Sequence, residues 1–474
     1  MPLPAEMRTV TFGTRAERRK QGKELRRAVP RETHGDLQGL GSRNAIAILA
    51  ESDPDRVPEL VPERYKRMME NPFAFLRGAA AVMAADLAQQ PMVGIKVQAG
   101  GDSHLMNFGA FATPEDNILF DVNDFDETIP SVDFAVDLKR LATSVAVATL
   151  ANGETKKRAR SLAAESVAAY RKHIFSLAKL SPLEIWHSRI DLEQELKLLS
   201  NKALQRKLIR IIAKARGQGL DKDDNFPHLV SGSELRIADR PPTIFHLHPN
   251  ADARHKLDAE RVFTLYRDCL SADRRHILDR HKMVDLVFKA VGVGSVGTFC
   301  CVALLMTGDG EPLFLQLKQA QRSVLERLGG GLAYDGHQGR RVVEGQQMMQ
   351  AASDIFLGYT QDDSSGRQFY VRTLKNHRLG GISEISEVRA LSDYARLCGR
   401  TLARAHARSG DPAAIAGYMG KGEVMDDAIA SFAMTYAAQT AIDHAALVRA
   451  NTNYMGRKQK PVAAHLFGSG RIAL

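Results

Sequence analysis

The stretch Val291-Gly-Val-Gly-Ser-Val-Gly297, followed by Thr298-Phe-Cys-Cys-Val-Ala-Leu-Leu-Met306, decides the fold. Gly292, Gly294 and Gly297 make a G-x-G-x-x-G pattern, a weak signal standing alone because glycines mark many turns. In a dinucleotide-binding fold the third glycine opens a helix. Here the residues after Gly297 are apolar and strand-forming, and Thr307-Gly-Asp-Gly310 then supplies a hairpin turn. Val284 to Ala290 reads as a strand ahead of the loop. Strand, glycine loop, strand is the arrangement of a lid whose backbone N–H groups approach nucleotide phosphates. Gly292, Gly294, Ser295 and Gly297 are its expected cofactor-binding residues.

The next strand, Leu313 to Lys318, ends in one lysine among apolar neighbours. Alternation places Lys318 on the face of Gln316 and Phe314, beneath the loop in an antiparallel sheet. A buried ammonium needs an anion, and Glu344, on a helix expected over Arg340 to Ser353, is the natural partner. Glu326 leaves too little chain for a strand to end and a helix to return. The competing reading is a surface hairpin whose lysine lays its stem along apolar surface. Two further strands, Phe356 to Thr360 and Gln368 to Arg372, precede a return to helix near Ser386.

Two acidic loops stand upstream. Val93 to Gln98 alternates like a strand and delivers Ala99-Gly-Gly-Asp-Ser-His-Leu-Met-Asn-Phe-Gly109. Asn117 to Asp121 is a second short strand, feeding Val122-Asn-Asp-Phe-Asp-Glu127. Asp102 and Asn107 have the D-x-x-x-x-N spacing of a kinase catalytic loop, in which the aspartate takes a hydroxyl proton and the amide carbonyl holds a metal. Asp124 fits the second carboxylate that holds Mg2+ between nucleotide phosphates, with Asp126 its understudy. Asp121 is nearer ordinary spacing but sits on the strand. Each loop alone reads equally well as a plain turn; two of them, each after a short strand, favour the functional reading. His104 is read as orienting the first loop.

A kinase runs from glycine loop to catalytic loop, and here that order is reversed. Circular permutation reconciles the two, because termini of compact domains lie close together and chemistry depends on placement rather than chain order. Tyr394 to His406 reads as the helix that ordinarily enters a catalytic loop. Ser409-Gly-Asp411 is not that loop, since Ala416 stands where the amide is needed.

Several stretches carry a resemblance: Pro72-Phe-Ala-Phe-Leu-Arg-Gly78, Gly101 to Gly109, Asn123 to Thr128, Asp137-Leu-Lys-Arg-Leu141, Val291 to Gly297, Leu315 to Lys318, Val342-Val-Glu-Gly-Gln346 and Ala405-His-Ala-Arg-Ser-Gly410. Together they resemble the bacterial domain-of-unknown-function family numbered 2252, across nearly the whole chain. The resemblance implies similarity to the protein-kinase and aminoglycoside-phosphotransferase superfamily. Asp102, Asn107 and Asp124 would then take phosphotransfer positions, and Asp137 a structural one in the following helix. Gly100 stands where a histidine usually precedes the catalytic loop, and Gln319 where an acidic residue is expected after the lysine.

Composition bounds the rest. The chain has 474 residues, 65 Lys+Arg against 55 Asp+Glu, 44% hydrophobic and 25% charged residues, which excludes a disordered or collagen-like chain. Its four cysteines, Cys269, Cys300, Cys301 and Cys398, are too few for a disulfide framework and are expected as free thiols in a reducing cytoplasm. The longest uncharged apolar run, Leu141 to Gly153, falls short of the about 20 residues that cross a bilayer. Phe245-His-Leu-His248 with His255 offers a metal-site pattern, but surface or core histidines are the simpler reading. Arg77 is open to a phosphate or a carboxylate, and Met348-Met349 to core packing.

The expectation is an α+β, protein-kinase-like two-lobed fold in circularly permuted order, with a small antiparallel β-rich lobe and a large helical lobe. The divisions are a basic arm over 1–60, the catalytic-loop and metal-loop part over 61–150, a helical part with an insertion over 151–280, the small lobe over 281–378, and a helical part over 379–474. The expected function is phosphotransfer from ATP with Mg2+ to a hydroxyl of a small molecule or protein. Asp102, Lys318 and Glu344 would carry the reaction, with Asn107, Asp124 and Asp126 at the metal. The alternatives are a pseudokinase regulator, an AMP transferase, or a nucleic-acid-associated protein using the basic arm. The simplest reading of that arm is a solvated helix.

Overall fold

The computed structural model describes residues 12–37, 39–40, 43–113, 115, 117–216, 227–231, 235–241, 243–246, 257–290, 292, 294, 296–374 and 388–455. The described chain is mixed α and β, a helical body beside one large antiparallel sheet. Early in the chain, β1 (Lys96–Ala99) pairs with β4 (Ile129–Asp133), and between them β2 (Phe108–Ala112) and β3 (Ile118–Val122) form a hairpin. A small pair, β5 (Leu229–Ser231) and β6 (Leu235–Ile237), follows the helical stretch. The large sheet contains β7 (Ile244–Phe245), β8 (Lys282–Lys289), β9 (Cys300–Met306), β10 (Pro312–Gln319), β11 (Gly358–Asp362) and β12 (Arg367–Thr373). Its order is β11-β12-β10-β9-β8-β7, every pair antiparallel.

The strand pattern around the glycine loop stands as read. β9 is apolar throughout and buried from Cys300 to Leu305, as a central strand covered on both faces must be. One face packs Phe288, Cys301, Leu305 and Phe369 beneath the helix Ala259–Cys269, whose Tyr266 hydroxyl donates to the Phe356 carbonyl at 2.6 Å. Cys300, one residue from Cys301, faces the opposite side and accepts from the Gln316 amide at 3.4 Å. All four cysteines are free thiols.

Sequence periodicity missed β2 and β4. β2 is Phe-Gly-Ala-Phe-Ala, too short and too small-residued to show alternation; pairing with β3 makes it a strand. The stretch read as an insertion of the large lobe also contributes to the sheet. β7 extends it beside β8, so the sheet unit begins well before residue 281.

The helix Phe134–Ala151 is buried on nearly every side, because it packs against both Lys156–Leu177 and Val424–Met455. Most of its residues are apolar or small, as such a position requires, and its buried charges Asp137 and Arg140 are paired within the fold. Asp133 caps it, accepting from the Ala135 N–H at 2.9 Å. Among the described residues no helix is long and apolar enough to cross a membrane.

The basic arm is a helix docked along one narrow face: Gly22 is buried and Arg18 half-buried, whereas Arg15, Arg19, Lys20 and Lys23 are exposed to solvent. Arg15–Glu24 begins at a Thr14–Glu17 capping box and lies against the helix Pro412–Met419. A Cβ at Gly22 would stand 2.0 Å from the Ala414 carbonyl oxygen, and one at Gly417 2.1 Å from that of Arg19. Arg18 pairs with Asp411 at 2.8 Å, and Arg31 donates to the Met419 carbonyl at 2.8 Å. Arg31 sits at the C-terminus of that helix, where the dipole favours positive charge, whereas Arg18 pairs with its N-cap residue, Asp411.

Candidate functional site

The first acidic loop leaves β1 through Gly100 and Gly101. Gly101 has φ +84°, and a Cβ there would come within 2.4 Å of the Glu127 carbonyl oxygen, so only glycine fits. Asp137, in the first turn of Phe134–Ala151, accepts from the N–H groups of Gly100 at 2.7 Å and Gly101 at 2.9 Å. His406 Nε2 stands 3.2 Å from the same carboxylate, and its Nδ1 lies 2.9 Å from the Tyr170 hydroxyl. His406, from a distant helix, thus braces the loop through Asp137.

Asp102 turns its carboxylate toward Arg140, at 2.9 Å from Nε and 2.7 Å from Nη2. Burial raises its pKa, against the opposing fields of Arg140 and Arg77. His104 accepts from the Met106 N–H on Nδ1 at 3.1 Å, which leaves the proton on Nε2, 3.6 Å from Asp102 Oδ2. Burial, with the charges of Arg77 and Arg140, drives the pKa of His104 well below its ordinary value and keeps the ring neutral. Asn107 donates from Nδ2 to the Asp102 carbonyl at 2.7 Å, which turns its amide oxygen away from that carbonyl.

The second loop is built as a cross-link. Asp124 Oδ1 accepts from the Asp126 N–H at 3.2 Å. Asp126 accepts from the Tyr370 hydroxyl at 2.8 Å through Oδ1 and from the Lys318 ammonium through Oδ2. Arg341 donates to the carbonyls of Thr128, Asp126 and Gln321, locking the loop to the helix Gln338–Met349. Glu127 accepts from the Val324 N–H at 2.7 Å, and burial pushes its pKa up to about 7.

Lys318 lies on β10 opposite Cys300 of β9 and Tyr370 of β12, and is buried. Burial alone would lower its pKa, but Asp126, with Tyr370 and Asp124, holds it above the ordinary lysine value. Glu344 is not its partner. That residue is on the exposed face of its helix and pairs with Arg340 at 2.7 Å, one turn away. The helix turns Val342, Val343 and Gln346 inward instead, leaving the anion to come from the second acidic loop. Asp126, expected at a metal, is therefore the counter-charge of the lysine. Glu326 pairs with Arg322 at 2.7 Å, and Asp121 with Arg404 at 2.6 Å.

These elements enclose a cavity of about 480 Å3. Asp102, Asn107, Asp124, Asp126, Lys318, Gly292 and Gly294 all line it, whereas Glu344 does not. Gly297 lines a neighbouring cavity of about 430 Å3, and Ser295 lies outside the described residues. Sequence reasoning missed Arg140, Glu127, Tyr370 and Arg372. Period-2 alternation along β12, paired with β10, was the available signal for Tyr370 and Arg372. Arg372 donates to Gln316 at 3.1 Å and to the Asn123 carbonyl at 3.2 Å.

The histidine pattern divides. His246 lies between Asp239, 2.8 Å from Nδ1, and Asp285, 3.0 Å from Nε2; His248 and His255 lie outside the described residues. Among the described residues no group of three or more His, Cys, Asp or Glu is arranged to hold a metal ion. Mg2+ bound mainly through phosphates needs only one or two protein oxygens.

A family model described as an uncharacterized protein conserved in bacteria (DUF2252) matches residues 56–450. No curated protein and no solved structure matches the chain.

Proposed function

We propose, from the premise that this chain belongs to the DUF2252 family of bacterial proteins, that it transfers phosphate from ATP, with Mg2+, to a hydroxyl of a small-molecule or protein acceptor. One observation carries the reading. The acidic loops bearing Asp102, Asn107 and Asp124 line the same cavity as Lys318 and the glycine loop, although Lys318 and Asp126 are 192 residues apart in the chain. The fold reading that goes with it is a protein-kinase-like one in circularly permuted order. Its support is a glycine loop between the first two strands of a meander and a lysine on the third, then a helix and two more strands.

The donor set suits the cofactor. Asn107, with its amide nitrogen held by the Asp102 carbonyl, and the Asp124 carboxylate offer oxygen ligands of the kind Mg2+ prefers. The bound ion would neutralise charge on the phosphates. Lys318 and Arg372 supply positive charge from the sheet wall. Asp102 would accept or orient the acceptor hydroxyl, with His104 and Arg140 fixing its carboxylate. Preorganised charge supplies most of the rate enhancement, since phosphoryl transfer asks little covalent help of the protein.

The Asp102–Arg140 ion pair gives the alternatives a specific footing, because a carboxylate oxygen engaged by a guanidinium is less open to an acceptor hydroxyl. Nucleotide binding by calorimetry and mass spectrometry of products from labelled ATP decide the matter. Lys318→Ala should weaken ATP binding sharply, and Asp102→Ala should abolish turnover while ATP still binds. AMP-labelled product means AMP transfer; ATP binding without product means a regulator. If both variants bind ATP like the parent, the cavity is not the nucleotide site.

A further inference from the structure

The glycine loop is held from outside the sheet. Arg56 Nη1 donates to the Val296 carbonyl at 2.6 Å, Arg67 Nη1 to the Gly292 carbonyl at 2.7 Å, and the Val57 N–H to the Gly297 carbonyl at 2.7 Å. The three donors come from one stitched segment preceding the acidic loops. Arg64 fixes Asp53 at 2.9 Å, the Tyr65 hydroxyl meets the same carboxylate at 2.7 Å, and Glu63 aims Arg67 at 2.9 Å.

Two of the glycines are shaped to this segment. Gly297 has φ +88°, with a Cβ position 3.2 Å from the Arg56 side chain; at Gly294 a Cβ would lie 3.0 Å from the Arg77 carbonyl oxygen. Their small size is used for close approach to residues 56–77, independently of any ligand.

We propose that Arg56 and Arg67 are positioning residues for the glycine loop and, through it, for a nucleotide's phosphates. The inference rests on the phosphotransferase reading only in its last clause. A phosphate is repelled by carbonyl oxygens and attracted by N–H groups. Engaging the carbonyls of Gly292, Val296 and Gly297 with donors from the lead-in takes their negative ends away from a phosphate. In a trans peptide the N–H points opposite to the C=O, so the fixed carbonyls of Val296 and Gly297 also fix the N–H groups of Gly297 and Thr298. The loop is then preorganised before nucleotide arrives, so binding costs less ordering entropy.

The test uses the full-length protein with and without ATP and Mg2+. Arg67 and Arg56 are both half-buried; Arg67 is truncated as Arg67→Ala, and Arg56 is changed to Arg56→Lys and Arg56→Ala, with thermal melts reporting folding. In the nucleotide-free protein, amide exchange at Gly292 and Gly294 should rise by about tenfold in Arg67→Ala, and at Gly297 and Thr298 in Arg56→Ala, the loss of one charged hydrogen bond in each. The KM for ATP should rise by a similar factor while kcat stays within about twofold, and Arg56→Lys should recover part of both. Unchanged exchange in a folded Arg67→Ala or Arg56→Ala overturns the proposal, as does a fall in kcat at constant KM. If the parent binds no ATP, the exchange result still judges the clamp and only the phosphotransferase reading fails.

Discussion

Lys318, buried on the third strand of the sheet meander, takes its counter-charge from Asp126 of the second acidic loop, and the Tyr370 hydroxyl holds the other oxygen of that carboxylate at 2.8 Å. This ion pair, with the Arg372 bond to the Asn123 carbonyl, ties the sheet to the second acidic loop. A loop that would place Asp124 against a metal is positioned by the same lysine that would meet the phosphates, so the two halves of the site are mechanically linked.

Removing one side of that pair strands a charge. Asp126→Asn should destabilise the protein by about 3–5 kcal/mol, because Lys318 remains buried without an anion. Lys318→Met combined with Asp126→Asn should recover most of the loss. Urea unfolding of the parent and the two variants measures it; equal loss in the single and double variants would contradict the pairing.

Asp137 holds the geometry of the first acidic loop. Asp137→Ala leaves the N–H groups of Gly100 and Gly101 without their acceptor, and His406 loses its carboxylate. Each buried donor left unpaired costs about 1–3 kcal/mol, so a large fall in melting temperature is expected together with loss of turnover. His406→Ala, which keeps both backbone bonds, should be the milder change.

Glu127 links the second loop to Val324 and has its pKa raised from 4.5 to about 7, chiefly by burial. The folded chain therefore holds this proton more tightly than the unfolded chain does. Its stabilising contribution is complete below pH 4.5 and is lost as pH rises through about 7. Ionisation there costs at most about 3 kcal/mol. Glu127→Gln keeps an acceptor for Val324 and should flatten the stability profile in that window. A parent-like slope in the variant would assign the pH dependence elsewhere.

The N-terminal helix is docked through the crossing of Gly22 and Gly417. Gly417→Val should force the helices apart, since its Cβ would meet the Arg19 carbonyl oxygen at 2.1 Å. Faster proteolysis within residues 12–30 of the variant, with the remaining core intact, is the expected outcome.

Much of this architecture is legible locally. The apolar run after Gly297 and the turn at Thr307–Gly310 read as a hairpin, because strand alternation and turn chemistry act over a few residues. The five-residue spacing of Asp102 and Asn107 works the same way: the amide reaches back to the carbonyl of the aspartate, a contact set by loop geometry alone. Lys318 in an apolar strand announced that an anion was needed.

Which anion, only the tertiary structure decided. Glu344 and Arg340 have the spacing of an ordinary solvent-facing pair, and helix periodicity does not tell which face meets the cavity. Asp126 reaches Lys318 across 192 residues, Asp137 reaches His406 across 269, and Arg56 reaches Val296 across 240. Short-range propensities shape the strands, turns and loops, whereas the partners of buried charges are chosen by which surfaces must come together to exclude water from them.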